Sequence, residues 1–208
     1  MSAKPYLIKK IVSALTGLFL ILFLIVHLYD NVFLFLGEEA FNTKAKELLS
    51  NPFIRVVEVL LFLSLIFHVV YGIYITAKNK QARSVSYKKI DWQTPFYKRM
   101  MWLSGTVIFL FLVVHLQSFL VPYRITGEAD SLYQLVVLTF KNPYYTGFYI
   151  IAFIFLGFHL LHAWESAFQT FGFNHPVFTP IIKIIGWILA IGITAGYSVI
   201  AIAAYLYL

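Results

Sequence analysis

The chain has 208 residues, 61% of them hydrophobic, and a formal net charge of +7. So apolar a composition over this length marks an integral membrane protein rather than a water-soluble domain. The lack of cysteine excludes disulfides, a thiolate nucleophile, a cysteine-ligated iron–sulfur cluster and haem tethered through Cys-x-x-Cys-His. Basic residues that flank apolar runs likewise argue against nucleic-acid binding.

The opening MSAKPYLIKK leads into a first apolar run over 11–36. That run is longer than the core of a cleaved signal peptide and has no small-residue cleavage site, so a retained span is expected. It contains FLIVHL (23–28), with Gly17 ten residues before His27. Asn51-Pro52 introduces a second run over 53–77, which carries FHVVYG (67–72). A basic connection, KNKQARSVSYKK (78–89), separates it from a third run over 100–121. There FLVVHL (111–116) recurs, again with a glycine, Gly105, ten residues before its histidine. Lys141-Asn142-Pro143 opens a fourth run over 144–169, which carries FHLLHA (158–163). After His175-Pro176 a fifth run over 178–207 holds no histidine. Backbone groups in lipid must be paired internally, so each run is predicted to be a helix. The predicted fold class is all-α: one transmembrane domain over 1–208, with four helices that carry histidine and a fifth that does not.

Orientation follows from lysine and arginine. With the N-terminus inside, the inner segments hold Lys4, Lys9, Lys10, Lys78, Lys80, Arg83, Lys88, Lys89, Lys98, Arg99 and Lys183. The outer ones hold only Lys44, Lys46, Arg55, Arg124 and Lys141. The prediction is N-terminus in and C-terminus out.

The two hairpins are internal repeats. FLIVHL matches FLVVHL, and FHVVYG matches FHLLHA, so His159 aligns with His68 and His162 with Tyr71. A lone histidine in a span can simply hydrogen-bond a neighbouring helix. Four in matched contexts read as a functional set, because ionisable residues in spans are rare. By depth they sort into an outer pair, His27 with His115, and an inner pair, His68 with His159, about 10–15 Å apart at 1.5 Å rise per residue. One imidazole from each of two helices, twice, suits two b haems, whose six-coordinate iron favours electron transfer over oxygen chemistry. Gly17 and Gly105 lie ~15 Å along the helix from their histidines, near the inner level, where a missing side chain leaves room for a porphyrin. Gly72 and Ala163 offer the same locally. A zinc site, which wants three or four ligands at one depth, and a histidine proton relay or small transporter are the competing readings.

ALTGLFLILFLIVHL in the first span, KNKQARSVSYKK and HLLHAWESAFQTFGFNHPVFTP together resemble the di-haem cytochrome b anchor of succinate:quinone oxidoreductases (succinate dehydrogenase or fumarate reductase), in its single-chain, five-helix form. The resemblance covers nearly the whole chain. It implies a multi-pass anchor in the bacterial cytoplasmic membrane that carries an iron–sulfur and a flavoprotein subunit at the inner face. It implies that His68 and His159 ligate the inner haem and His27 and His115 the outer one. It also implies that electrons pass between those subunits and a quinone, usually menaquinone, near the outer haem. Anchors of formate dehydrogenase, hydrogenase or nitrate reductase are an alternative of the same kind. Quinone candidates near the outer level are Glu58, Asp30, Tyr29, Asn31, Gln117, Arg55 and Ser118, with Glu58 best suited to proton exchange. Lys98, Arg99, Tyr71 and His162 are candidate partners of the inner haem or its propionates. The inner loop 78–99, with Tyr87, Trp92, Phe96 and Tyr97, and the segment FQTFGFNHPVFTP are expected to contact the iron–sulfur subunit.

Overall fold

A computed structural model describes residues 4–81 and 94–208. Much of the basic connection, with Arg83, Tyr87, Lys88, Lys89 and Trp92, lies outside the described residues, so the docking expectation there is not addressed. Among the described residues the elements are all helical. They are α1 (Lys4–Val32), α2 (Glu38–Ser50), α3 (Pro52–Gln81), α4 (Phe96–Arg99), α5 (Met101–His115), α6 (Leu132–Phe140), α7 (Pro143–Thr170) and α8 (Phe178–Leu206). A 3₁₀ turn (Phe33–Leu36) extends α1, and a π-helical segment (Leu116–Ile125) extends α5.

Five stretches are long and apolar enough to cross a membrane: Tyr6–Leu36, Pro52–Asn79, Met101–Ile125, Pro143–Thr170 and Phe178–Leu206. They match the five apolar runs. The third outlasts its expected end at 121, because the wider π turns carry Pro122, which has no N–H to give. Two connections are themselves helical, which apolar-run reading did not reveal. α2 is too polar to register as a run and α6 too short. They pack on each other at the face opposite the start of α1. There Ser131 Oγ donates to Glu38 (2.7 Å) and accepts from Asn42 Nδ2 (2.9 Å). Asn142 caps α7 by accepting from the backbone N–H groups of Tyr144 and Tyr145, with Pro143 at the first helical position.

α1 packs on α3, α5 on α7, and α1 on α7, whereas α3 and α5 share no sustained packing. These four helices form a square with one open side. α8 lies outside it, chiefly against α7. Without a hydrophobic force between helices in lipid, close approach depends on small residues. A Cβ at Gly157 would lie 2.7 Å from Thr194 Oγ1, and one at Gly196 2.7 Å from Leu28 Cδ2. Ala190, Ala201 and Ala204 are also buried along α8. The apolar side chains of α3, such as Val59, Leu63, Ile66 and Val70, are instead exposed, as a lipid-facing helix requires.

Gly157→Leu is therefore expected to force α8 off α7 and to cost about 1–3 kcal/mol, the usual penalty of overpacking. The apparent melting temperature of the detergent-solubilised protein measures it. An unchanged value would mean that α8 docks without this close approach.

Candidate functional site

The histidines of α1, α3, α5 and α7 meet across the diagonals of the square. The rings of His27 (α1) and His115 (α5) have centroids 6.0 Å apart, and those of His68 (α3) and His159 (α7) 6.1 Å. Their planes cross at 85° and 73°. The repeat shows how local sequence sets the rings. Residues four apart stack on a helix face, and so Phe23 stacks on His27 (5.2 Å) and Phe111 on His115 (5.5 Å).

The glycines fix the second level. A Cβ at Gly17 would lie 3.1 Å from His68 Cε1, and one at Gly105 3.8 Å from His159 Cε1. Gly17 and Gly105 thus stand beside the second pair of imidazoles, ten residues of helix from His27 and His115. The two levels are therefore ~15 Å apart along the helices. The level of His68 and His159 lies nearer the face that holds the start of α1, here called the N-terminal face. The level of His27 and His115 lies nearer the far face. Space around Gly72 is open.

Do these rings fit an iron? Two metal–nitrogen bonds of about 2.0 Å, plus the radii of two five-membered rings, span roughly 6 Å. Each ring must also present Nε2 and keep its proton on Nδ1. His68 Nδ1 faces the Ser13 carbonyl (3.2 Å), His159 Nδ1 the Ser104 hydroxyl (3.4 Å) and His115 Nδ1 the Tyr149 hydroxyl (3.4 Å). Within the described residues His27 makes ring contacts only, to Phe23, His115 and Tyr197. The donor set fits bis-imidazole haem. No group of three or more His, Cys, Asp or Glu side chains placed to hold a metal ion occurs among the described residues, as zinc would prefer.

At the N-terminal face the centre is Glu165, which the sequence reading passed over. It is 5% exposed. Lys98 pairs with it at 3.0 Å and Lys183 at 3.9 Å, and Tyr97 donates to it at 3.0 Å. Burial and this carboxylate push the Tyr97 phenol up to about 12. Lys98, a propionate candidate, thus already has an anionic partner. Arg99 lies over the Phe96 ring and Tyr71 stacks on Phe67. His162 Nδ1 is buried without a hydrogen-bond partner, one helical turn from His159. An orphaned donor or acceptor there leaves a polar contact to be made.

At the far face Glu58 pairs with Arg55 (3.4 Å) on its own helix and with Arg124 of the π segment. Asn31 donates to the His27 carbonyl (2.7 Å), Tyr29 is exposed against Phe33, and Gln117 is exposed. Asp30 is half-buried near the end of α1. Ser118 donates to the Val114 carbonyl (2.7 Å) and meets the Tyr145 hydroxyl. Of these candidates Glu58 and Arg55 form an ion pair on α3; Tyr29, Asp30, Asn31, Gln117 and Ser118 are scattered along the far end of α1 and the π segment. Arg124 was missed because its partner is 66 residues away. Glu165 could have been flagged, since an acid inside an apolar run is itself a signal.

Residues 8–91 match the family described as succinate dehydrogenase/fumarate reductase transmembrane subunit. Over 154 residues the chain is 32% identical to the succinate dehydrogenase cytochrome b558 subunit of Bacillus subtilis (strain 168), covering 73% of this chain and 72% of that protein. No solved structure matches the chain significantly.

Replacing Glu165 by Ala leaves the partly exposed Lys98 and the Tyr97 hydroxyl without their partner, which is expected to cost about 1–3 kcal/mol. Removing the half-exposed, distant amine in Lys183→Met should cost under ~1 kcal/mol. Thermal unfolding of both variants compares them, and equal losses would contradict the ranking. The Tyr97 value lies above the ordinary 10.0. Its contribution to stability is therefore full below that pH and is lost as pH rises toward 12.

Proposed function

The chain belongs to the succinate dehydrogenase/fumarate reductase transmembrane-subunit family, and from that premise we propose that it holds two b haems and relays electrons between an iron–sulfur subunit and a membrane quinone. The carrying observation is the two pairs of imidazole rings, 6.0 and 6.1 Å apart across the bundle diagonals. His68 and His159 would hold the haem nearer the N-terminal face, and His27 and His115 the one nearer the far face. When bound, each haem supplies reversible one-electron transfer. The relative's name carries the same reading, since it is a cytochrome b558 subunit.

The residues of the chain do the rest. The imidazoles of His68, His115 and His159 are oriented through Nδ1 and those of His27 and His115 by stacked phenylalanines, among apolar helices. The N-terminal face is taken as cytoplasmic, because the basic residues concentrate there. At that face Phe173, Val177 and Phe178 are exposed beside Asn174, His175 and Lys183. This apolar rim with a basic edge is the proposed seat of the iron–sulfur subunit, which carries the flavoprotein subunit in turn. Succinate or fumarate chemistry belongs to those partners. At the far level Glu58 is the proposed proton-exchanging group for the quinone: a half-buried carboxylate, held by two guanidinium groups, near the end of the path.

Purified protein should show a reduced-minus-oxidised b-type spectrum and two haems per chain. Substituting His27, His68, His115 or His159 by Ala should remove one haem each. A wild-type preparation without a b-type band would reject the reading. Retention of both haems in His159→Ala would reject the ligand assignment. Pull-down with the intact chain should recover an iron–sulfur and a flavoprotein subunit. Recovery of a different dehydrogenase would reassign the partner.

A further inference from the structure

The second hairpin is wired to itself. Ser104 on α5 meets His159 of α7, while Tyr149 on α7 meets His115 of α5, each hydroxyl standing 3.4 Å from an imidazole Nδ1. These are among the most buried side chains of the protein, 0% and 1% exposed. A hydroxyl so placed in an apolar bundle needs a partner. Among the described residues the first hairpin has no such device. His68 uses the Ser13 backbone carbonyl, and His27 makes ring contacts only.

We propose that Ser104 and Tyr149 are positioning residues for the two haem-ligating imidazoles of α5 and α7, each hydroxyl oxygen accepting a hydrogen bond from Nδ1–H and so setting the redox balance of one haem. This rests on the ligand reading above. Ser104 Oγ already donates to the Met101 carbonyl (3.0 Å), so its lone pairs face the imidazole and Nδ1 must be the donor. That fixes the tautomer that leaves Nε2 bare. Tyr149 is held by the rings of Phe111, Phe140 and Phe153, at 4.8, 5.0 and 5.9 Å, and cannot swing away. At 3.4 Å both contacts are looser than a formed N–H···O bond. They tighten when Nε2 is ligated, because the ring N–H then becomes the stronger donor.

An acceptor on Nδ1 makes the imidazole more basic and favours ferric over ferrous iron. Loss of that acceptor shifts the equilibrium the other way and raises the midpoint potential of that haem alone. Ser104→Ala and Tyr149→Phe remove one oxygen each and keep the packing, and Ser104→Thr keeps the hydroxyl. The test is a spectroelectrochemical titration of the intact complex, with the low-spin ferric EPR signal of each haem as a second readout. Ser104→Ala should raise the potential of the His68/His159 haem, and Tyr149→Phe that of the His27/His115 haem. Each shift should approach tenfold in the ferric–ferrous equilibrium, about 59 mV for one electron. Ser104→Thr should restore the wild-type value. Haem loss in Ser104→Ala that Ser104→Thr rescues would also support positioning. Unmoved potentials in both variants, a shift of the same haem in both, or haem loss in the Ala and Thr variants alike would overturn the proposal. If the wild type binds two haems, these outcomes strike this proposal alone. A wild type without haem removes the ligand reading and this proposal with it.

Discussion

An imidazole inside an apolar bundle must satisfy two nitrogens, and this constraint organises the whole molecule. A lone buried ring would cost free energy unless a neighbouring helix supplied a partner. Here three of the four rings turn Nδ1 to an oxygen on another helix and face a second ring across the bundle. The facing rings come from the diagonals α1/α5 and α3/α7, while each Nδ1 contact comes from an adjacent helix. α8, which carries no histidine, is left outside, held by glycine and alanine contacts and by hydrogen bonds of Trp164, Thr194 and Tyr197 to facing carbonyls.

The repeat in sequence is a repeat in geometry only up to a point. Both hairpins place a phenylalanine four residues before the far-level histidine and a glycine beside the other level. There the likeness ends. The α5–α7 hairpin holds its imidazoles with side-chain hydroxyls, and the α1–α3 hairpin holds one with a backbone carbonyl. A backbone oxygen cannot be altered by substitution without moving the helix. A serine or tyrosine can be changed independently. The two hairpins therefore share a scaffold, while among the described residues only the second meets its imidazoles with side-chain hydroxyls.

How much of this was legible follows from which interactions are local. The five spans were readable because lipid forces each apolar run into a helix, and the depth of each histidine follows from its place along a run of known rise. The i,i+4 stacking of Phe23 on His27 is likewise inherent in the sequence. What escaped was non-local. Ser104 and Tyr149 look like unremarked residues of apolar runs until the facing helix arrives, and Arg124 acquires meaning only from Glu58. α2 escaped for a different reason. Its sequence, EEAFNTKAKELLS, is helical by local preference and amphipathic spacing, but hydropathy sees only a polar connection. Glu165 stands in plain view in the sequence and was passed over, because an acid near a span's end resembles ordinary interfacial polarity until Lys98, Lys183 and Tyr97 close over it.

The buried and half-buried acids tie elements together at the two faces. Glu165 ties α4 and α8 to α7 at the N-terminal face, and Glu58 ties α3 to the π segment at the far face. The second tie matters more, because α3 and α5 share no sustained packing and that side of the square is open. A slide of α3 by one residue would move His68 by about 1.5 Å against His159, more than the proposed pair of metal–nitrogen bonds would tolerate. At the other end of α3, Tyr6 donates to Asn79 (2.7 Å) and Lys9 sits over the Tyr74 ring, 3.7 Å from its centroid, holding α3 to α1. With α3 fastened near both ends, its register is set by polar contacts in the interfacial zones, while its middle stays apolar and lipid-facing. Charge is thereby confined to the two faces. Among the described residues the middle of the bundle between them holds no Asp, Glu, Lys or Arg, as an apolar interior in which a fixed charge would be costly requires.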